Sequence, residues 1–120
     1  MKTKSQQARA RRSKGAQGER EVAKLLSTWS GELVERKLGA ARHGGSDIEW
    51  NGYSIEVKRQ EKPSIRIWWI QCVHQATLEG NRPLLVWKQN GGEWQCMFFD
   101  DGHETIVTFY GWYSAYYEFA

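Results

Sequence analysis

No run in this sequence approaches the roughly 20 apolar residues needed to span a bilayer, so no membrane-embedded segment is expected. The charged, Gln-rich start does not read as a signal peptide, and the expected setting is cytoplasmic. Cysteine is scarce. Cys72 and Cys96 lie in apolar surroundings with no metal-ligand spacing around them, which suits a reduced thiol pair. No internal repeat or interdomain linker is visible, and 120 residues leave room for one core. Aromatic residues are plentiful: seven Trp, five Tyr and four Phe supply enough large apolar groups to close that core.

Negative charge is missing from the start of the chain. Lys2, Lys4, Arg9, Arg11, Arg12 and Lys14 all precede the first acid, Glu19. Taking those six from the formal net charge of +3 leaves −3 for residues 15–120, so a basic segment precedes a mildly acidic body. Residues 1–13, with almost no apolar content, are expected to form a flexible basic arm ahead of a single domain at 14–120. Such an arm either solubilises the chain or adds salt-dependent, sequence-independent affinity for nucleic-acid phosphates.

Asn51-Gly52 is the strongest short-range hairpin signal, because a two-residue type I′ turn needs positive φ at both central residues. That turn sets a register in which Trp50 faces Tyr53, Glu49 faces Ser54, Ile48 faces Ile55, and Asp47 falls opposite Glu56. Alternation then puts Ile48, Trp50, Tyr53, Ile55 and Val57 on one face and Asp47, Glu49, Glu56 and Lys58 on the other. Directly opposed residues have Cβ atoms roughly 4.5–5.5 Å apart, where like charges destabilise. The Asp47–Glu56 pair therefore calls for a cation.

The rest of the chain reads as an α/β domain. Residues 14–29 fit a helix with Val22, Leu25, Leu26 and Trp29 on one stripe. Glu19 lies at the edge of that stripe, where a carboxylate is either solvated or held by a hydrogen bond, an ion pair or a metal. Residues 33–38 suggest a strand, followed by a Gly-rich basic loop carrying Arg42 and His43. Residues 65–79 fit a helix with Ile65, Trp68, Trp69, Cys72, Val73 and Ala76 inward. Residues 84–87 are the continuous apolar strand of a sheet buried on both faces. Two more strands are expected at 94–99 and 105–109, then a C-terminal helix, giving a mixed sheet with helices packed on it.

Glu19, Asp47 and Glu56 offer three hard oxygen ligands beside the Lys58 ammonium, a set suited to Mg²⁺, with Mn²⁺ as a substitute. A cation there relieves the repulsion across the hairpin, acidifies a water and stabilises a phosphorane-like transition state. Lys58, on the same strand face as Glu56, can orient that water or neutralise the attacked phosphate. Each residue type has a task in phosphodiester hydrolysis.

Asp47 followed by Glu56-Val57-Lys58 resembles the signature of the PD-(D/E)xK nucleases, with Ser46 where a proline is common. The segment Lys14-Gly15-x-x-Gly18-Glu19-Arg20-Glu21 is similar to the first-helix signature of archaeal-type Holliday junction resolvases and their phage relatives. The resemblance covers residues 14–88, including Gln71, Gln75 and the Pro-Leu-Leu-Val strand. It implies a restriction-endonuclease-like mixed β-sheet flanked by helices, with an αβββαβ core. It further implies a homodimeric, Mg²⁺-dependent endonuclease that acts on branched four-way DNA junctions in recombination and repair. On this resemblance Glu19, Asp47, Glu56 and the Val57 carbonyl are metal ligands, and Lys58 is the catalytic lysine. Phosphate contacts are expected from Arg9, Arg11, Arg12, Lys14, Arg42, His43, Lys62 and Arg66. The second helix, with Trp68 and Trp69, and the aromatic C-terminal segment are candidates for the dimer surface.

Two other functions suit the same residues. Another nuclease of this fold, of repair, nicking or restriction type, shares every site residue and differs in its preferred DNA. A non-catalytic DNA-binding module suits the basic arm and the aromatics, which could stack on unpaired bases. Such a binder gains nothing from carboxylates facing phosphates.

Overall fold

The computed structural model describes residues 3–37 and 45–117, with the backbone alone for residues 8 and 10–14. Helix α1 spans Lys4–Ser30. Thr3 caps it: its hydroxyl accepts from the Gln6 N–H while the Gln6 side chain accepts from the Thr3 N–H. The helix thus begins ten residues before the expected start, and the basic segment expected to be flexible is helical from Lys4 onward. Gln, Ala, Arg and Lys are good helix formers, and extending a helix already packed downstream needs no new nucleus. The Arg42 and His43 loop positions lie outside the described residues.

The hairpin forms in the expected register. Strand β1 (Ile48–Trp50) pairs antiparallel with β2 (Tyr53–Arg59) through Ile48–Ile55, Glu49–Ser54 and Trp50–Tyr53. Its turn has φ of +48° at Asn51 and +79° at Gly52. Helix α2 (Ile65–Glu79) carries the chain across to β3 (Arg82–Lys88), which lies parallel to β2. Strands β4 (Gln95–Asp100) and β5 (His103–Thr108) continue antiparallel, and α3 (Phe109–Ala115) closes the chain. The sheet order is β1-β2-β3-β4-β5.

Residues 33–37, expected as a strand, form no strand. Among the described residues one ladder-like bond reaches them, from the Lys37 N–H to the Asp47 carbonyl at 2.7 Å. Strand β1 is three residues long and offers little edge to pair with. The mixed sheet with flanking helices stands, and its described order is αββαβββα rather than one beginning αβββ.

Alternation along the strands divides the core. Ile48, Ile55, Val57, Leu84, Val86, Cys96 and Phe98 pack under Val22 and Leu26 of α1 and under Phe109 and Trp112 of α3. On the opposite face Leu85, Trp87 and Met97 pack against Trp68, Trp69 and Cys72 of α2. The register pairs Glu56 with Leu85 and Lys58 with Trp87, so both polar side chains belong to the α2 face. Both cysteines are buried free thiols. Among the described residues no helix is long and apolar enough to cross a membrane.

Candidate active site

Asp47 sits where the hairpin begins, and three backbone groups hold it. Its N–H donates to the Ile55 carbonyl at 3.1 Å, and its carbonyl accepts from the Lys37 N–H at 2.7 Å. Its Oδ2 accepts from the Val57 N–H at 2.8 Å, in the place a β1 carbonyl would fill had the strand continued. In an antiparallel pair a residue's N–H and C=O point to the same side, so the Val57 carbonyl shares this edge with the Asp47 carboxylate.

Helix α1 delivers Glu19, and Gly18 allows the approach. A Cβ on Gly18 would lie 3.3 Å from the Trp94 ring, 3.5 Å from the Arg59 Cβ and 3.6 Å from Val57. Without one, the helix backbone comes down onto β2 beside the hairpin. Three carboxylates distant in sequence therefore meet: Glu19 and Glu56 each share a hydrogen bond with Asp47.

Burial and crowding of like charge both act on Glu19 and Glu56. Burial first, then the Asp47 charge and hydrogen bond, raise the Glu19 pKa to about 7 against the opposing Arg36. Burial and Asp47 raise Glu56 to about 8, against the opposing charge of Lys58. Cys72 of α2 adjoins Glu56; burial, helped by the Glu56 charge, pushes its thiol up to about 12, so it acts as apolar wall.

These carboxylates suit a hard divalent cation by donor type and by their mutual repulsion. As the side chains stand, no group of three or more His, Cys, Asp or Glu among the described residues is arranged to hold a metal ion. With the Glu19 and Glu56 pKa values raised to about 7 and 8, binding a cation there requires proton release.

Several residues here were not singled out from the sequence. Arg36 lies 3.5 Å from Glu19. Lys37 bridges Glu49 at 3.1 Å and Glu79 at 3.0 Å. Glu79, at the end of α2, also accepts from the Ser54 hydroxyl at 2.6 Å and the Ser46 N–H at 3.3 Å. Burial acts to raise the Glu79 pKa, but hydrogen bonds from Ser54, Ser46 and Lys37 outweigh it and bring it to about 2. One signal in the sequence could have found Glu79: a carboxylate in the last turn of a helix opposes the helix dipole, so it needs local donors.

The expected phosphate-contacting residues are more scattered. Arg9 is exposed on α1, while Arg11, Arg12 and Lys14 are placed there by backbone alone. Lys62 is exposed between β2 and α2. Arg66 is committed to Glu104 of β5 at 3.2 Å, and that carboxylate also accepts from the Trp69 indole.

The sequence profile of one family, described as "Phage putative PDDEXK endonuclease", matches residues 10–110. That span contains Glu19, the hairpin, α2 and all five strands. Nucleases of this class generally use divalent metal ions. No curated protein matches the chain.

Proposed function

The chain belongs to the phage PDDEXK endonuclease family, and from that premise we propose a Mg²⁺-dependent, structure-selective DNA endonuclease, a homodimeric Holliday junction resolvase. The observation that carries the chemistry is the meeting of Glu19, Asp47 and Glu56 beside Lys58, with carboxyl pKa values driven up to about 7 and 8. Clustered acids at that cost to themselves suit a cation site, not a surface for phosphate alone.

Glu19, Asp47, Glu56 and the Val57 carbonyl would hold Mg²⁺, with Mn²⁺ as a substitute. When bound, the ion supplies positive charge that acidifies a water and offsets charge building on the phosphoryl oxygens. The Val57 N–H keeps the Asp47 carboxylate aimed while the others close in. Lys58 offers its ammonium to the attacking water or to the phosphate. Water attacks phosphorus in line and the P–O3′ bond breaks, leaving 5′-phosphate and 3′-hydroxyl ends. Arg36, 3.5 Å from Glu19, would be a further donor for the same phosphate.

Comparing a four-way junction, a flap, single-stranded DNA and linear duplex with Mg²⁺ tests this reading. Paired symmetric nicks confined to the junction are expected. Equal cutting of linear duplex would replace the resolvase with a repair, nicking or restriction-type enzyme of the same fold.

Basic residues of α1 add backbone contacts. Replacing Arg9, Arg11 and Arg12 with Gln is expected to weaken DNA binding uniformly across sequences. It should also lower the slope of log affinity against log salt by about one per lost contact. An unchanged slope in binding titrations from low to moderate salt would take the segment out of the interface.

A further inference from the structure

Two of the residues that flank Asp47, Lys37 and Ser46, trace back to one side chain remote from it in sequence, Glu79. Its Oε2 accepts from the Lys37 ammonium at 3.0 Å and from the Ser46 N–H at 3.3 Å. Its Oε1 accepts from the Ser54 hydroxyl at 2.6 Å, and Ser54 in turn accepts from the Asn81 amide at 3.0 Å. Lys37 and Ser46 are the two residues that reach Asp47 from either side: the Lys37 N–H binds its carbonyl, and Ser46 precedes it in the chain. Ser46 and Ser54 are fully buried and the Glu79 side chain is only 13% exposed, so water is a poor substitute for these bonds.

We propose that Glu79 is a positioning residue for Asp47, acting through the Ser46 amide and Lys37; the proposal rests on the nuclease reading above. Three observations support a role beyond packing. A carboxylate at a helix C-terminus opposes the dipole, so the helix alone gains nothing from it. Two of its donors, the Ser46 N–H and the Lys37 ammonium, belong to residues tied to Asp47, one by the chain and one by a backbone hydrogen bond. And the chain carries Ser46 where the PD-(D/E)xK signature commonly has proline. Proline restrains φ covalently and offers no N–H; Ser46 keeps its N–H, and Glu79 takes it. The restraint before the aspartate is then supplied from α2 by a hydrogen bond.

Glu79 touches neither metal nor phosphate in this scheme. Its loss should loosen the direction of the Asp47 carboxylate while leaving DNA binding intact. Glu79→Ala is expected to lower kcat by about 10- to 100-fold, the usual effect of removing a group that orients a ligand. KM for DNA should stay within about twofold. Glu79→Gln keeps an oxygen for the Ser46 N–H and should recover part of the loss.

The second readout needs no cleavage. Amide hydrogen exchange on the full-length protein should show the Ser46 and Val57 N–H groups protected in wild type. In Glu79→Ala both should exchange at least about tenfold faster, because Val57 is held by the Asp47 carboxylate. Unchanged Val57 protection overturns the proposal. So does a kcat within twofold of wild type, or a loss carried wholly by KM. Wild-type protein that cuts no DNA with Mg²⁺ or Mn²⁺ overturns the nuclease reading instead, and Val57 exchange then still decides whether Glu79 holds Asp47.

Discussion

Asp47→Asn should leave the protein folded and lower kcat by on the order of 10³ or more, about 4 kcal/mol of transition-state stabilisation. The amide oxygen can still accept the Val57 N–H, so the backbone contacts that set the start of the hairpin survive. What disappears is the charge on which Glu19 and Glu56 converge. An amide is a weaker ligand than a carboxylate for a hard cation, and an Asn at the centre leaves the set one charge short. Single-turnover cleavage of a labelled four-way junction, wild type beside variant with saturating Mg²⁺, gives the comparison. Equal rates would remove Asp47 from the chemistry.

Glu56→Gln should raise stability at high pH and flatten its dependence on pH. The Glu56 pKa is raised to about 8 from an ordinary carboxylate value of 4.5, chiefly by burial and then by Asp47. Between those two values the folded state keeps a proton that the unfolded state has released. Stability is therefore full below pH 4.5 and falls as pH rises through 8. Glu19, raised to about 7, adds to the same trend. The slope from one group cannot exceed one proton, about 1.4 kcal/mol per pH unit. Melting in chelator from pH 5 to pH 9 should show wild type losing several degrees and Glu56→Gln losing fewer. Mg²⁺ should return the lost degrees to wild type at high pH and do little for the variant. A wild-type melting temperature that is flat with pH would sink this account of the carboxylates.

Local signals in the sequence reached far where the chemistry was local. Asn51-Gly52 set the hairpin register, and the observed pairs are those the turn demands. Helix α2 begins and ends where the apolar spacing and Gly80 indicate. The meeting of Glu19 with the hairpin was expected from two signatures taken together, the first-helix segment and the Asp47–Lys58 stretch. What escaped was partnership across distance. Glu79 meets Ser46 only because β2 and β3 run parallel, a pairing that forces a long crossover and returns the end of α2 to the start of β2. Residues 33–37 looked like a strand by composition, but whether they pair depends on how much edge β1 leaves, which no local pattern records. The early start of α1 rests on the Thr3–Gln6 capping box, a reciprocal pair of bonds that composition and charge do not record.

The unbroken course of α1 gives its charge a metric. Arg9 and Glu19 stand ten residues apart on one helix, about 15 Å along its axis at 1.5 Å per residue. A duplex advances about 3.4 Å per base pair, so that span corresponds to roughly four base pairs. A tethered tail would sample phosphates anywhere within its reach. Under the proposed function, a helix packed on β2 at Gly18 would hold Arg9 at a set distance from the carboxylates, so the phosphates it reaches would lie at a set offset from the bond being cut.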